Sequence, residues 1–254
     1  MKTPLLPITI ASIYEVGGVK VALPKRMAQC TPDMKKALAD LAIRLADTGG
    51  KLILSDLFRS YDMQLGSHLD WKSKKKKAFS PPPGGSLHEG GRALDLDLGS
   101  LKMKLGDFWP IALEYGLVPI IDKPVAGASE AWHFECRGSH MRVYDYYKAG
   151  NGTNFDKPYQ AMAASAIVSV GVKVDKFGTG QDIAYLQSGL IRLGHSIGNL
   201  DGASGPKTRA GLEAVGIEGL PVARMIEAMD IALQKEFPEE FFDKSSGEAG
   251  LPFQ

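Results

Sequence analysis

Apolar and polar residues alternate strictly over residues 93–98, and this period of two predicts a half-buried β-strand. The leucines fall on one face of the strand, and Asp95 falls on the other. A second strand is predicted over residues 131–136, with its large aromatic side chains directed inward and His133 directed outward. We therefore expect two strands of the core to present Asp95 and His133 from rigid elements.

Helices are predicted where the period changes from two to about 3.6. Thr31 and Pro32 form a helix start, with a capping hydroxyl and a proline in the first turn, and the helix is expected to end near Asp47. Its apolar stripe consists of Met34, Leu38, Leu41 and Leu45. Further helices are predicted over residues 106–115 and, in an alanine-rich segment, over residues 158–172.

Residues 61–86 lack a clear apolar period, and we predict a long polar loop there. The loop contains the lysine-rich run of residues 72–77. Two interpretations stay open: a solvated, mobile surface segment, or a cationic rim that attracts an anionic polymer such as the cell wall. His68 in this loop is interpreted as a surface residue, and His140 further along as a surface residue or the start of a helix that ends near Lys148.

A metal site is predicted where the first strand begins. Gly90 and Gly91 allow the backbone to turn sharply, so that His88 comes back over the face that carries Asp95. Together with His133, these side chains offer two imidazole nitrogens and one carboxylate oxygen. Three protein ligands leave one position open on zinc, and a water bound there has a pKa of about 7. We therefore expect one catalytic zinc ion per chain.

Several separated segments share an order and spacing that carry a family resemblance. The principal motif consists of Ser86, His88, Gly91, Ala93, Asp95, Glu130, Trp132 and His133. The supporting segments are Phe58-Arg59-Ser60-Tyr61 with Gln64, and Pro81-Pro82-Pro83-Gly84. Over roughly residues 25–147 the chain resembles the zinc D,D-peptidases of the VanY and VanX type, which share a fold with the hedgehog signalling domain.

The resemblance implies an α+β fold in which an antiparallel sheet with flanking helices holds one zinc ion on His88, Asp95 and His133. It also implies that Glu130 is the general base. Arg59 would stabilise an oxyanion or grip a substrate carboxylate. Ser86 would hydrogen-bond the substrate backbone.

Strand periodicity and the family resemblance disagree about which glutamate is the general base. Glu130 lies three residues before His133, so strict alternation places it on the opposite face, whereas Glu135 shares the face of His133. Glu130 can act only if it still lies in the preceding loop, where the period does not apply. We choose Glu130, with Glu135 as a partner that orients His133 or a neighbouring side chain.

A second motif begins after a polar stretch at residues 151–157, where we place a domain boundary. Its elements are Leu186-Gln187, Leu193-Gly194, Asp201-Gly202, Gly205-Pro206 and Thr208. Roughly residues 178–216 resemble the small three-helix peptidoglycan-binding repeat. The chain departs from the repeat at residues 212–215, so a purely structural helical appendage stays open as the alternative.

Composition excludes some classes of function. The chain has 254 residues, 44% hydrophobic residues and a formal net charge of +1, which gives no global reason to expect nucleic-acid binding. Its first 13 residues make a poor secretory signal, and no apolar run is long enough to span a bilayer. The two cysteines, Cys30 and Cys136, are expected to be buried reduced thiols, although a single bridge could form outside the cytoplasm.

These observations lead to one functional hypothesis and one rival. Residues 1–150 are predicted to form a zinc peptidase domain, residues 151–177 a linker and helix, and residues 178–243 a small all-α domain that binds peptidoglycan. The expected reaction is hydrolysis of a peptide bond in a peptidoglycan stem or cross-link. The rival is a non-catalytic, zinc-containing wall-binding protein of the same fold. The protein is expected to be made in the cytoplasm and to reach the wall with a holin, as a phage-type endolysin, or through a secretion machine.

Overall fold

The computed structural model describes residues 2–153 and 159–243. The strands are β1 (Leu6–Pro7), β2 (Ala11–Val16), β3 (Val19–Ala22), β4 (Gln29–Cys30), β5 (Leu54–Asp56), β6 (Ala93–Leu96), β7 (Leu117–Pro119) and β8 (His133–Cys136). The α-helices are α1 (Pro32–Ala46), α2 (Tyr61–Lys72), α3 (Leu105–Glu114), α4 (Met141–Lys148), α5 (Gln160–Val170), α6 (Gln181–Arg192), α7 (Pro206–Ala214), α8 (Val222–Glu236) and α9 (Pro238–Phe241). The protein is thus a mixed α+β chain, as predicted.

The main sheet has six strands in the order β3-β2-β5-β6-β8-β7. All neighbours are antiparallel except β2 and β5, which pair in parallel, so the prediction of an antiparallel sheet is wrong for this pair. Strands β6 and β8 lie side by side within the sheet, and all their residues are buried. The predicted strand at 131–136 begins two residues late, at His133.

The chain packs into two compact units, each discontinuous in sequence. One unit contains the six-stranded sheet and consists mainly of Pro4–Arg59 and Gly91–Gly138. The other consists mainly of Ser60–Gly90 and Ser139–Phe241, and its core is formed by side chains of α4 to α9, such as Leu186. The domain boundaries near residues 150 and 177 stay a prediction, and residues 154–158 of the proposed linker lie outside the described part.

Helix α1 is confirmed, but its first turn is held differently from the prediction. Thr31 makes no side-chain cap to the backbone, and its hydroxyl donates instead to the carboxylate of Asp33 at 2.7 Å. The guanidinium of Arg92, which is fully buried, donates to both oxygens of Asp33 at 2.8 and 2.6 Å. It also donates to the backbone carbonyl of Cys136 at 3.0 Å. Arg92 therefore ties the start of α1 to the end of β8.

Asp33→Asn is expected to lower the free energy of unfolding by about 3 kcal/mol or more, because it leaves the buried guanidinium of Arg92 without its counter-charge. Asp40→Asn is the matched control, since Asp40 pairs with Lys36 on the solvent side of the same helix. The control is expected to change stability by less than about 1 kcal/mol. Urea denaturation of both variants measures the free energy of unfolding. Equal losses of stability in the two variants would contradict the role assigned to the Arg92–Asp33 ion pair.

One sequence prediction outside the site is wrong, and a second is only partly right. Residues 61–72 form helix α2 instead of a polar loop, and Ser60 caps it by accepting a hydrogen bond from the backbone N–H of Met63 at 3.3 Å. His140 lies at the start of helix α4, as one interpretation has it, but it is fully buried instead of lying at the surface, with its Nε2 3.0 Å from the carboxylate of Glu240.

Cys30 and Cys136 are both buried thiols that form no disulfide. Burial raises the pKa of the Cys30 thiol well above its usual range, so this sulfur stays protonated and unreactive. Among the described residues, no helix has the length and apolar character needed to cross a membrane.

Candidate metal centre

Asp95 and His133 occupy directly opposed positions on β6 and β8. Both side chains are buried, and the Oδ1 of Asp95 lies 2.9 Å from the Nδ1 of His133. The strands predicted around Asp95 and His133 are present, and the structure shows in addition that they pair with each other. Because both residues belong to paired strands, their separation is fixed by the register of the sheet.

The other edge of the His133 ring faces Glu135. Its Nε2 lies 3.7 Å from the Oε1 of Glu135, whose other carboxylate oxygen accepts from Arg137 at 2.7 Å. Burial lowers the pKa of the imidazole, but hydrogen bonds and charge from Asp95 and Glu135 outweigh burial and raise its pKa to about 10. The two carboxylates therefore favour a positive charge at this ring, which either a proton or a metal ion supplies.

His88 completes a group of possible metal ligands. One ligand atom each from His88, Asp95 and His133 lies within 4.8 Å of the others, and all three residues are buried. Zinc binds imidazole and carboxylate at about 2.0–2.2 Å, so the ligand atoms of a tetrahedral site are roughly 3.3 Å apart. Two nitrogens and one oxygen at this spacing fit zinc with small side-chain adjustments. A buried His–Asp–His group that can bind a metal is thus present.

Arg59 and its neighbours hold the second oxygen of Asp95. The guanidinium of Arg59 donates to the Oδ2 of Asp56 at 2.6 Å and lies 3.4 Å from the Oδ2 of Asp95. Burial opposes the charge on Arg59, but the carboxylates of Asp56 and Asp95, with a further effect of Glu130, outweigh burial and raise its pKa. Arg59 is therefore a fixed cation beside the carboxylate of Asp95.

Glu130 lies in a turn that precedes β8, so strand alternation does not govern its direction. Its backbone has a φ of +65°, and its carbonyl accepts from the backbone N–H of His133 at 3.0 Å. A positive φ is rare for a residue with a side chain, and such conformations concentrate at functional sites. The side chain is half-buried, whereas that of Glu135 is fully buried.

Ser86 lies in the turn that leads to His88, and it is buried. Sequence reasoning assigned no role to Glu89, which the structure shows to be buried in the same turn. The carboxylate of Glu89 accepts from the backbone N–H groups of Gly84 at 2.8 Å and Ser86 at 3.4 Å. The spacing Ser86-x-x-Glu89 is that of a capping box, in which a glutamate bonds back to the first N–H, and this signal could have identified it.

Comparisons with known proteins give weak structural similarity. No protein-family profile matches the chain, and no curated protein matches it. One similar solved structure is that of the LdcB LD-carboxypeptidase, described as revealing the molecular basis of peptidoglycan recognition. The two sequences are 20% identical, the similarity covers 54% of this chain and 85% of that chain, and the TM-score is 0.35.

Proposed function

We propose that the protein is a zinc-dependent hydrolase of a peptide bond in peptidoglycan, either in the stem peptide or in a cross-link. The observation that carries the proposal is the buried group of His88, Asp95 and His133, whose ligand atoms lie within 4.8 Å of one another. The family resemblance of the surrounding motif supplies the substrate class. A carboxypeptidase and an endopeptidase would both use this site.

In the proposed mechanism His88, Asp95 and His133 hold one zinc ion. When bound, zinc lowers the pKa of a water to about 7 and polarises the scissile carbonyl. Glu130 accepts a proton from the attacking water and delivers it to the leaving amine nitrogen. Its half-buried position in a turn supports this role, since the carboxylate can meet both water and substrate.

Arg59 is proposed to stabilise the negative oxygen of the tetrahedral species or to hold a substrate carboxylate. Its guanidinium is fixed by Asp56 and Asp95, so its charge is already oriented before substrate binds. Ser86 is proposed to hydrogen-bond the substrate backbone. Glu135 is proposed to orient His133 through Nε2, which leaves Nδ1 for the metal.

A non-catalytic zinc protein that binds the wall is the second candidate. It would need the same three ligands but no general base. Glu130 disfavours this candidate, because the glutamate of the Glu-x-Trp-His motif is intact, and a protein that only binds the wall has no need of a general base.

Digestion of purified sacculi tests the proposal. Mass spectrometry of the products is expected to show one new amino end and one new carboxyl end per cleavage, and their identity defines the bond. Intact sacculi, together with uncut soluble stem peptides, would contradict it. Action at the wall would require delivery, and a holin or a secretion machine is the proposed partner.

The helical segment of residues 178–216 is proposed to bind peptidoglycan. It contains a pocket of about 460 Å³, whose lining includes Asn199, Ala203, Lys207 and Thr208. Gln187 supports the pocket wall from within, since its buried side chain accepts from the N–H of Gly202 at 2.9 Å and donates to the carbonyl of Ala203 at 3.0 Å. Amide and hydroxyl groups beside an apolar wall suit the peptide and acetamido groups of the wall.

Ala203→Trp is expected to fill this pocket and to reduce sedimentation with sacculi several-fold, because Ala203 is exposed and lines it. Hydrolysis of a short soluble stem peptide is expected to stay unchanged. Ala149→Trp, at another exposed alanine, is the control. Equal sedimentation of both variants and the parent would reduce the segment to a structural appendage.

A further inference from the structure

A row of aromatic rings flanked by lysines forms a surface that the proposed mechanism does not use. We name it the cationic aromatic surface. Its rings belong to His68, Trp71, Phe79 and Tyr159, and its cations are Lys72, Lys74, Lys75 and Lys77. All eight residues belong to the same compact unit.

The rings follow one another in order. The ring centroids of His68 and Trp71 are 5.7 Å apart, those of Trp71 and Phe79 are 4.9 Å apart, and those of Phe79 and Tyr159 are 6.3 Å apart. The row is not part of the buried core, since Phe79 is 37% exposed and the other three rings are half-buried. A connected row of aromatic rings is therefore open to solvent.

The lysines are held in place by the end of helix α2. The backbone N–H of Lys74 donates to the carbonyl of Trp71, and that of Lys76 donates to the carbonyl of Asp70, each at 3.0 Å. The Lys76 ammonium donates inward to the hydroxyl of Ser67 at 2.9 Å. The ammonium groups of Lys72, Lys74, Lys75 and Lys77 belong to exposed side chains. The run is thus an anchored turn that concentrates positive charge beside the rings.

The row ends next to the segment that carries His88. Tyr159 packs against Gly85, where an added Cβ would lie 3.0 Å from its Cδ2. Gly85 directly precedes Ser86 and lies three positions before His88. The row of rings is therefore continuous with the buried segment that carries His88.

We propose that the cationic aromatic surface binds a glycan strand whose sugars carry carboxylates, an inference that rests on the proposed action on peptidoglycan. The flat C–H faces of pyranose rings pack on aromatic rings, and the ammonium groups attract the carboxylates. Continuity with the His88 segment favours a wall glycan over a lipid surface. The net charge of +1 gives no support to nucleic acid as the partner.

The test replaces Lys72, Lys74, Lys75 and Lys77 by glutamine in the full chain. Lys76 is kept because it bonds to Ser67. The matched control replaces the exposed lysines at 102, 104, 123 and 148, which gives the same net charge of −3 from the same starting charge of +1. The probe is a labelled, peptide-free glycan strand whose lactyl groups end in free carboxylates, and affinity is measured by fluorescence anisotropy at low salt.

The surface variant is expected to bind the strand about ten-fold more weakly than the control variant, and the difference is expected to shrink as salt screens the charges. Trp71→Ala is expected to weaken binding of both this strand and a neutral chitin oligomer, because it removes a stacking face. Equal affinity of the two lysine variants would overturn the proposal. Binding to anionic lipid vesicles without binding to the strand would overturn it in favour of a membrane surface.

The same samples separate this proposal from the proposed function. Both lysine variants are expected to hydrolyse a short soluble stem peptide at the parent rate and to hold the same amount of zinc. If the parent cleaves neither sacculi nor a soluble stem peptide, the enzymatic proposal fails, while the anisotropy comparison still decides whether the surface binds glycan.

Discussion

His88→Ala and His133→Ala are each expected to reduce bound zinc from about one ion per chain to a small residual amount. Each substitution removes one of the three proposed protein ligands, and two ligands do not hold zinc against dilution. Elemental analysis after gel filtration measures the ratio. His195→Ala is the matched control, because His195 is a half-buried histidine remote in sequence from all three ligands.

Glu135→Gln is expected to give an intermediate loss of zinc affinity in the same experiment. Its carboxylate faces the Nε2 of His133 at 3.7 Å and is not one of the three ligands, so zinc is expected to bind but about 10- to 100-fold more weakly. A competition titration with a chelator measures this change. Full zinc occupancy in both His88→Ala and His133→Ala would show that the metal centre is wrongly assigned.

Glu130→Gln is expected to keep its zinc and its fold while turnover falls by a factor of about 10² or more. A general base is not a ligand, so its removal affects proton transfer without affecting metal content. Turnover on a soluble stem peptide measures the loss of activity, and zinc analysis of the same sample checks that the metal is retained. Glu135→Gln is the comparison and is expected to lose less turnover at saturating zinc.

Two results would contradict this assignment in different ways. If Glu135→Gln abolishes hydrolysis and Glu130→Gln barely changes it, strand alternation was the better guide to the base. If neither substitution changes an activity measured on sacculi or on stem peptides, the non-catalytic wall-binding function becomes the stronger candidate.

The part of the site that could be predicted from sequence depends on local patterns. Alternation over four to six residues is enough to orient Asp95 on β6 and His133 on β8, and their direct pairing in the sheet agrees with it. The position of Glu130 needed one more piece of information, namely where the strand begins. The structure places that start at His133, so Glu130 lies in the turn, where the choice required it to be.

Helix α2 was missed because it lacks the signal on which helix prediction mainly relies. Gln64 is its only buried residue among those described, so no apolar stripe marks it. The signals that were present are local: Ser60 at the cap and Asp62 in the first turn. A polar helix that has N-terminal capping signals but no apolar stripe is easily mistaken for a loop.

The burial of His140 could not be read from its neighbours in sequence. Its partner Glu240 lies 100 positions away and also accepts from Ser139 at 3.0 Å and from Arg192. The same limit applies to the parallel pairing of β2 with β5, which joins residues about 40 positions apart. Long-range partners of this kind leave no local period in the sequence.

The left-handed backbone of Glu130 sets stability against activity at one position. An L-residue pays about 1–2 kcal/mol for this conformation, whereas glycine adopts it freely. Drift toward glycine at position 130 would thus relieve the fold while removing the proposed base. Under the proposed mechanism, a glutamate at this position therefore favours chemistry over stability.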